Sequence, residues 1–234
     1  MRYDETAPFP LDDYREMQRA IPGVEALYGL IQVQLAASLA EGSTVLIVGA
    51  GGGREIEILA TLPRTHRGVA VDPSAPMLER AARIAGAQRI AERCRFVLGT
   101  VDDAPDGPFE AATSVLVMHF LPDDGAKRAY LAAIRQRLRA GALYIHVDVC
   151  VDSPAEREAM VEPFLRHAAL QGLPAAKARI APRIIRELPV ISEARTRALL
   201  AETGFGAVTA FFRGLWYAGW VARAAGEDGS QSGA

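Results

Sequence analysis

Residues 45–53 read Val-Leu-Ile-Val-Gly-Ala-Gly-Gly-Gly, and Asp72 stands nineteen positions beyond Gly53 (72 minus 53). A short β-branched run, apolar on both faces, suits the centre of a parallel sheet. Glycines then remove side chains where backbone must turn sharply and pass close to a ligand. Asp72 ends a second apolar run, Gly68-Val69-Ala70-Val71, which puts its carboxylate at the carboxyl edge of the neighbouring strand. A carboxylate in that place offers acceptors to the two hydroxyls of a ribose. Loop, acid and spacing together predict a nucleotide-type cofactor at the end of a strand. Three further polar residues fall at the same edge: His119 after the fourth predicted strand, and His146 with Asp148 in the fifth. Period two puts the last two on one strand face. A histidine here can accept a proton from a hydroxyl or thiol. The competing reading makes His119 a packed loop residue and His146 a hydrogen-bonded core residue, so the catalytic assignment stays open.

These residues need a sheet to hold them. Strand candidates recur at 45–48, 68–71, 95–98, 112–118 and 143–149, with helical stretches at 55–62, 76–86 and 126–139 between them. Such alternation predicts βαβ units, a parallel sheet and ligand sites outside the carboxyl ends of the strands. Upstream, Leu27, Leu30, Ile31 and Leu35 follow a helical rhythm that delivers the chain to the first strand. Ser192 is a good N-cap for a helix that stops at Gly204. Runs 207–212 and 215–222 are separated by Arg213-Gly214, a spacing that suits a tight hairpin. The predicted fold class is α/β: a doubly wound, mostly parallel seven-stranded sheet ending in an antiparallel hairpin, with an N-terminal helical cap and a helical insertion. The chain divides into a cap (1–41), a cofactor-binding core (42–151), an insertion or lid (152–191), a last helix with closing hairpin (192–225) and a disordered tail (226–234).

Composition excludes some partners. Half of the 234 residues are hydrophobic, enough for one sizeable core. Lys plus Arg 26 against Asp plus Glu 28 leaves a formal charge of -2, so direct nucleic-acid binding is not expected. Residues 1–20 are polar and acidic, and no apolar stretch approaches the ~20 residues needed to span a bilayer, so a cytoplasmic protein without a membrane partner is expected. Cys94 and Cys150 lack metal-ligand spacing and read as buried free thiols, with no metal site predicted. The arginines from Arg179 to Arg186 read as a solvated helix face or a contact between subunits of a homodimer, with binding of an anionic substrate as the alternative.

The loop narrows the cofactor. A dinucleotide loop of the form G-x-G-x-x-G would need glycine at position 54, where this chain has Arg54. The run Gly49-Ala50-Gly51-Gly52-Gly53, Asp72 and the closing hairpin resemble class I S-adenosylmethionine-dependent methyltransferases over residues 42–224. That resemblance implies a Rossmann-like fold, with Gly49, Ala50, Gly51 and Gly53 around the methionine part of the cofactor and Asp72, with Pro73 beside it, on the ribose. It places the adenine at Thr100 and Val101, with Met77 a further candidate contact. Many members carry Gly-Asp where this chain has Gly99-Thr100, so the Thr100 hydroxyl or Asp102 must substitute. Methyl transfer is an in-line displacement with an excellent leaving group, so no dedicated base motif is obligatory.

A closer resemblance runs through Asp4-Glu5, Ile21-Pro22-Gly23, Phe120-Leu121-Pro122 and Gly204-Phe205. These are similar to the carboxy-S-adenosylmethionine synthase family of tRNA wobble-uridine modification. Three departures separate the activities. Val24 stands where that family has tyrosine, Val115 on the fourth strand of the cofactor site where it has asparagine, and its cofactor-holding arginine falls near Ala181, flanked by Arg179 and Arg183. A carboxylated sulfonium needs a cation and hydrogen-bond donors, and valine supplies neither. The expected function is an S-adenosylmethionine-dependent methyltransferase acting on a small-molecule acceptor. A carboxy-S-adenosylmethionine synthase-like enzyme and a non-catalytic S-adenosylmethionine-binding protein are the alternatives.

Overall fold

Val45, Leu46, Ile47 and Val48 are each no more than 4% exposed, so both faces of strand β1 (Thr44–Val48) are covered and it lies at the centre of a sheet. The structure, a computed structural model, describes residues 14–226. The expectations for Asp4-Glu5, for the first part of the cap and for 227–234 of the tail lie outside the described residues. Strand β1 pairs in parallel with β2 (Arg67–Asp72) and with β4 (Phe109–Val115). Strand β3 (Cys94–Leu98) adds to β2, and β5 (Leu138–Val149) adds to β4, both in parallel. Two antiparallel strands, β6 (Phe205–Gly214) and β7 (Tyr217–Ala224), close the sheet, giving the order β3-β2-β1-β4-β5-β7-β6. The chain therefore leaves β1 to one side and β4 to the other, and a crevice opens between their carboxyl ends.

Helices cover both faces. Helices α1 (Tyr14–Arg19), α2 (Val24–Ser38), α3 (Arg54–Thr61) and α4 (Ala75–Ala87) share one core with Val45, Ile47 and Ala70. Helices α5 (Ala126–Gln136) and α10 (Glu193–Glu202) pack on the opposite face through Leu131, Ile134, Leu199 and Leu200. Between β5 and α10 run α6 (Pro154–Ala159), α7 (Val161–Leu170), α8 (Ala175–Ala178) and α9 (Ile180–Glu187). They send Phe164, Ala168, Leu173, Ala178 and Ile185 into the first core, and the Phe164 ring packs tilted against the fully buried Trp216 at 5.1 Å between ring centroids. Where this segment leaves and rejoins the sheet, Cys150 bridges Ile191 and Val151 N donates to Ile191 O at 3.1 Å.

Three boundaries differ from the sequence reading. The apolar run 112–118 suggested one strand, but β4 spans Phe109–Val115; Leu116 takes a φ of 60° and Met118–Phe120 form a 3-10 turn. Met118 is apolar because it is buried from that turn, not because it belongs to a strand. Helix α5 stops at Gln136, short of Arg139, because Leu138 pairs with Phe109 in the sheet. The hairpin turns at Leu215-Trp216, two residues later than Arg213-Gly214, with Leu215 at a φ of 54°. Burying Trp216 against α7 decides that turn over the glycine.

Candidate active site

The strand ends meet in line. Gly49 N donates to Val71 O at 2.9 Å and Gly99 N to Asp72 O at 3.0 Å, so the ladders of β1, β2 and β3 run up to the loops that follow them. Gly49 adopts a φ of 80°, and a Cβ there would lie 2.2 Å from Val117 Cγ2, so the loop after β4 presses directly on the glycine loop. Gly51 is excluded from carrying a side chain by close approach: a Cβ would sit 2.7 Å from Met77 Cβ and 2.8 Å from Asp72 Oδ2. Its own N–H donates to Asp72 Oδ2 at 2.9 Å, and Ser74 N donates to Asp72 Oδ1 at 2.9 Å. Burial raises the Asp72 carboxyl above its ordinary range, opposed by these two N–H donors. Gly49, Ala50, Gly51, Gly53, Asp72, Pro73 and Met77 thus lie on the glycine loop and at or just after the end of β2 that faces it.

Helix α1 lies across this loop. Tyr14 and Gln18 are the nearest groups to Gly52, with Tyr14 Cε1 2.9 Å and Gln18 Nε2 3.2 Å from the position a Cβ would take. Ion pairs from Arg15 to Glu57 of α3 and from Lys177 of α8 to Glu16 tie α1 down on two sides. Tyr28 of α2 is a core residue with the Arg54 guanidinium 4.5 Å over its ring, and Arg54 in turn bonds Glu25 at 2.7 Å. Behind the loop, Glu55 is 4% exposed and lines a small cavity with Leu35, Val45, Ile47, Leu59, Leu62 and Thr113. Burial pushes its carboxyl up to about 7. Neither the Tyr14–Gln18 cover nor the buried Glu55 was read from sequence, because both depend on packing between elements distant along the chain.

At the end of β3, Thr100 caps the 3-10 turn Val101–Asp103, its N–H donating to Asp103 Oδ2 at 2.8 Å. Asp103, which the sequence reading passed over in favour of Thr100 and Asp102, is the carboxylate folded back on this turn. The Val101 side chain is 3% exposed and packs in the α5-side core, so only its backbone remains for a ligand. Val115 closes β4 opposite Val147 and is 7% exposed. Arg179 and Arg183 are both exposed.

The polar residues after β4 and in β5 pair differently from the sequence grouping. His119 Nδ1 is hydrogen-bonded to Asp148 Oδ1, whereas His146 Nε2 is 4.0 Å from Asp148 Oδ2. Val149 N also donates to Asp148 Oδ1, at 2.9 Å. Burial works against the ionised Asp148, but the adjacent His119, which also hydrogen-bonds it, and Lys127 behind outweigh it and hold the carboxyl below its usual range. Lys127, fully buried, donates from Nζ to Met118 O at 2.8 Å and so fixes the turn that carries His119. His146 is 1% exposed, bonds Tyr144 Oη through Nδ1 at 3.1 Å and stacks on Trp220; burial lowers it to about 4. His146 is therefore a neutral core residue. Among the described residues, no group of three or more His, Cys, Asp or Glu is arranged to hold a metal ion, and no helix is long and apolar enough to cross a membrane.

Residues 45–141, less than half of the chain, match a protein-family model described as a methyltransferase domain. A search of curated proteins finds no match. Solved structures share the fold at low identity. A possible exported protein from Bordetella parapertussis superposes with a TM-score of 0.66 at 20% identity, over 97% of this chain and 76% of that one. An O-methyltransferase family 2 protein from Planctomyces limnophilus, in complex with apigenin, gives 0.59 at 17% identity, over 92% of this chain and 62% of its own. A geranyl diphosphate C-methyltransferase from Streptomyces coelicolor, holding Mg2+, geranyl-S-thiolodiphosphate and S-adenosyl-L-homocysteine, gives 0.61 at 12% identity, over 86% of this chain and 76% of its own.

Proposed function

We propose that this methyltransferase domain uses S-adenosylmethionine to methylate a small molecule by in-line transfer. Asp72 is the observation that carries the reading. A carboxylate has about four acceptor sites, and Gly51 N and Ser74 N occupy one on each oxygen, which leaves capacity for a ribose diol at the strand edge. The crowding of Gly51 against Asp72 and Met77 fits a loop built for backbone contact with the cofactor. When bound, the cofactor supplies an electrophilic methyl group whose leaving group is a neutral thioether, so holding the acceptor in line provides much of the catalysis. The glycine loop, Asp72, Pro73, Met77 and Thr100 do the holding in this reading. Helices α1 and α2, the turn after β4 and the segment 152–191 shape the acceptor side.

Solved neighbours holding apigenin or a geranyl-S-thiolodiphosphate support a small organic acceptor. Val24 and Val115, both buried and without a side-chain donor, favour methyl transfer over synthesis of a carboxylated cofactor. Calorimetry with S-adenosylmethionine tests the proposal. The wild-type chain binds, and Asp72→Ala weakens binding by about 1.5–3 kcal/mol through loss of a buried acceptor. A folded wild-type chain that binds no S-adenosylmethionine refutes it, and a carboxylated derivative in ligand released from purified protein, read by mass spectrometry, overturns the choice between the two enzymes.

A further inference from the structure

We propose that His119 is the general base of the transfer and Asp148 its positioning residue, so that the acceptor is a weakly acidic hydroxyl, phenolic or enolic, that enters the site protonated. The inference rests on the methyl-transfer reading above. Asp148 is 2% exposed, and its Oδ1 faces both Val149 N and His119 Nδ1. A buried carboxylate accepts, so the proton between the two groups belongs on Nδ1. That tautomer leaves the Nε2 lone pair free to take a proton. The His119 side chain keeps 7% exposure, and Nε2 has no hydrogen-bond partner among the described residues.

The surrounding residues hold this ring in place. Lys127 grips Met118 O, the Phe120 ring lies 4.1 Å from the imidazole between centroids, and Val117 touches the glycine loop. The imidazole is thereby fixed on the turn that borders the cofactor edge. His146, the other histidine near Asp148, is 1% exposed and committed to Tyr144, so it cannot reach an acceptor. In the step itself, the acceptor's O–H proton passes to His119 Nε2, an oxygen lone pair forms the new C–O bond, and the C–S electrons remain on the departing thioether. The resulting imidazolium is stabilised by the Asp148 carboxylate and returns its proton to solvent. Imidazole is an efficient base for hydroxyls not far from it in acidity, which selects phenols and enols over alkanols.

Two measurements on the full chain test this. First, 15N-histidine NMR at neutral pH, with His119 signals assigned from their loss in His119→Gln, should show the Nδ1–H tautomer with Nε2 unprotonated; an Nε2–H tautomer overturns the proposal. Second, initial rates are taken with S-adenosylmethionine and 4-methoxyphenol, phenol or 4-nitrophenol. His119→Gln should lower kcat about 100-fold or more on 4-methoxyphenol and far less on the readily ionised 4-nitrophenol. Asp148→Asn, which keeps Oδ1 but removes the charge, should fall between wild type and His119→Gln with KM little changed. An equal loss across the series, or no phenol methylated by wild-type protein that binds S-adenosylmethionine, overturns the inference alone. Calorimetry on the same samples separates the cases, because absence of cofactor binding removes the methyl-transfer reading and this inference together.

Discussion

Glu55→Gln offers a direct measure of what burial does behind the glycine loop. In the folded chain the Glu55 carboxyl is raised from an ordinary 4.5 to about 7, first by burial, with its own backbone N–H and Arg54 pulling the other way and Asp72 adding to the rise. Between those two values the folded chain holds a proton that the unfolded chain has released. Stability is therefore fully present below the unfolded value and falls as pH rises through the folded one. The gap between 4.5 and about 7 corresponds to a loss of up to roughly 3 kcal/mol at pH 8. Glutamine matches the protonated acid in shape and does not ionise. The variant and wild type should thus be nearly equal in stability near pH 4, with the variant ahead by up to about 3 kcal/mol near pH 8. Urea denaturation of both chains at the two pH values reads this difference, and contributions from groups not coupled to Glu55 cancel. A variant-minus-wild-type difference that is the same at both pH values would refute the reasoning.

Two other expectations follow from the site's surroundings. Gly49→Ala puts a Cβ into Val117 and forces alanine to a φ of 80°, so it should cost about 2 kcal/mol or more in chemical denaturation; an unchanged midpoint would contradict the close packing of the two loops. Cys150 is 1% exposed, and burial, with Asp148 adding to it, pushes its thiol up to about 12, leaving almost no thiolate at pH 8. Intact-mass analysis after iodoacetamide should find Cys150 unmodified in the native chain and modified in urea, whereas rapid native labelling would show that the segment covering it opens.

The glycine-loop edge of the sheet was legible because its signals are local. Strand β1, the glycine loop and Asp72 lie within a short stretch, and their apolar, glycine and acidic types each follow from one steric or hydrogen-bonding need. The doubly wound sheet followed from alternation of strands and helices in the same way. What escaped depends on contacts between distant residues. Period two correctly places His146 and Asp148 on one face, yet Asp148 pairs with His119 because the 3-10 turn after β4 folds back over β5. No pattern along the chain tells where a turn's side chain returns. The hairpin boundary failed for a related reason: Trp216 prefers the pocket beside Phe164 to the turn chemistry of Arg213-Gly214.

The bridge between Cys150 and Ile191 means that the chain departs from the sheet and comes back to it at neighbouring points. Everything between is a cassette clipped to a fixed base. Loop-closure entropy changes by only about 0.6 kcal/mol for each doubling of length, so a shorter or longer segment can be spliced between these two residues without shifting the register of β5 or α10. The graft must bring its own cover for Trp216, as Phe164 does here, together with replacements for Ala168, Leu173, Ala178 and Ile185 in the core and for the Lys177–Glu16 pair that holds α1. Under the proposed function, acceptor choice can then be exchanged as a unit while the glycine loop and Asp72 stay as they are.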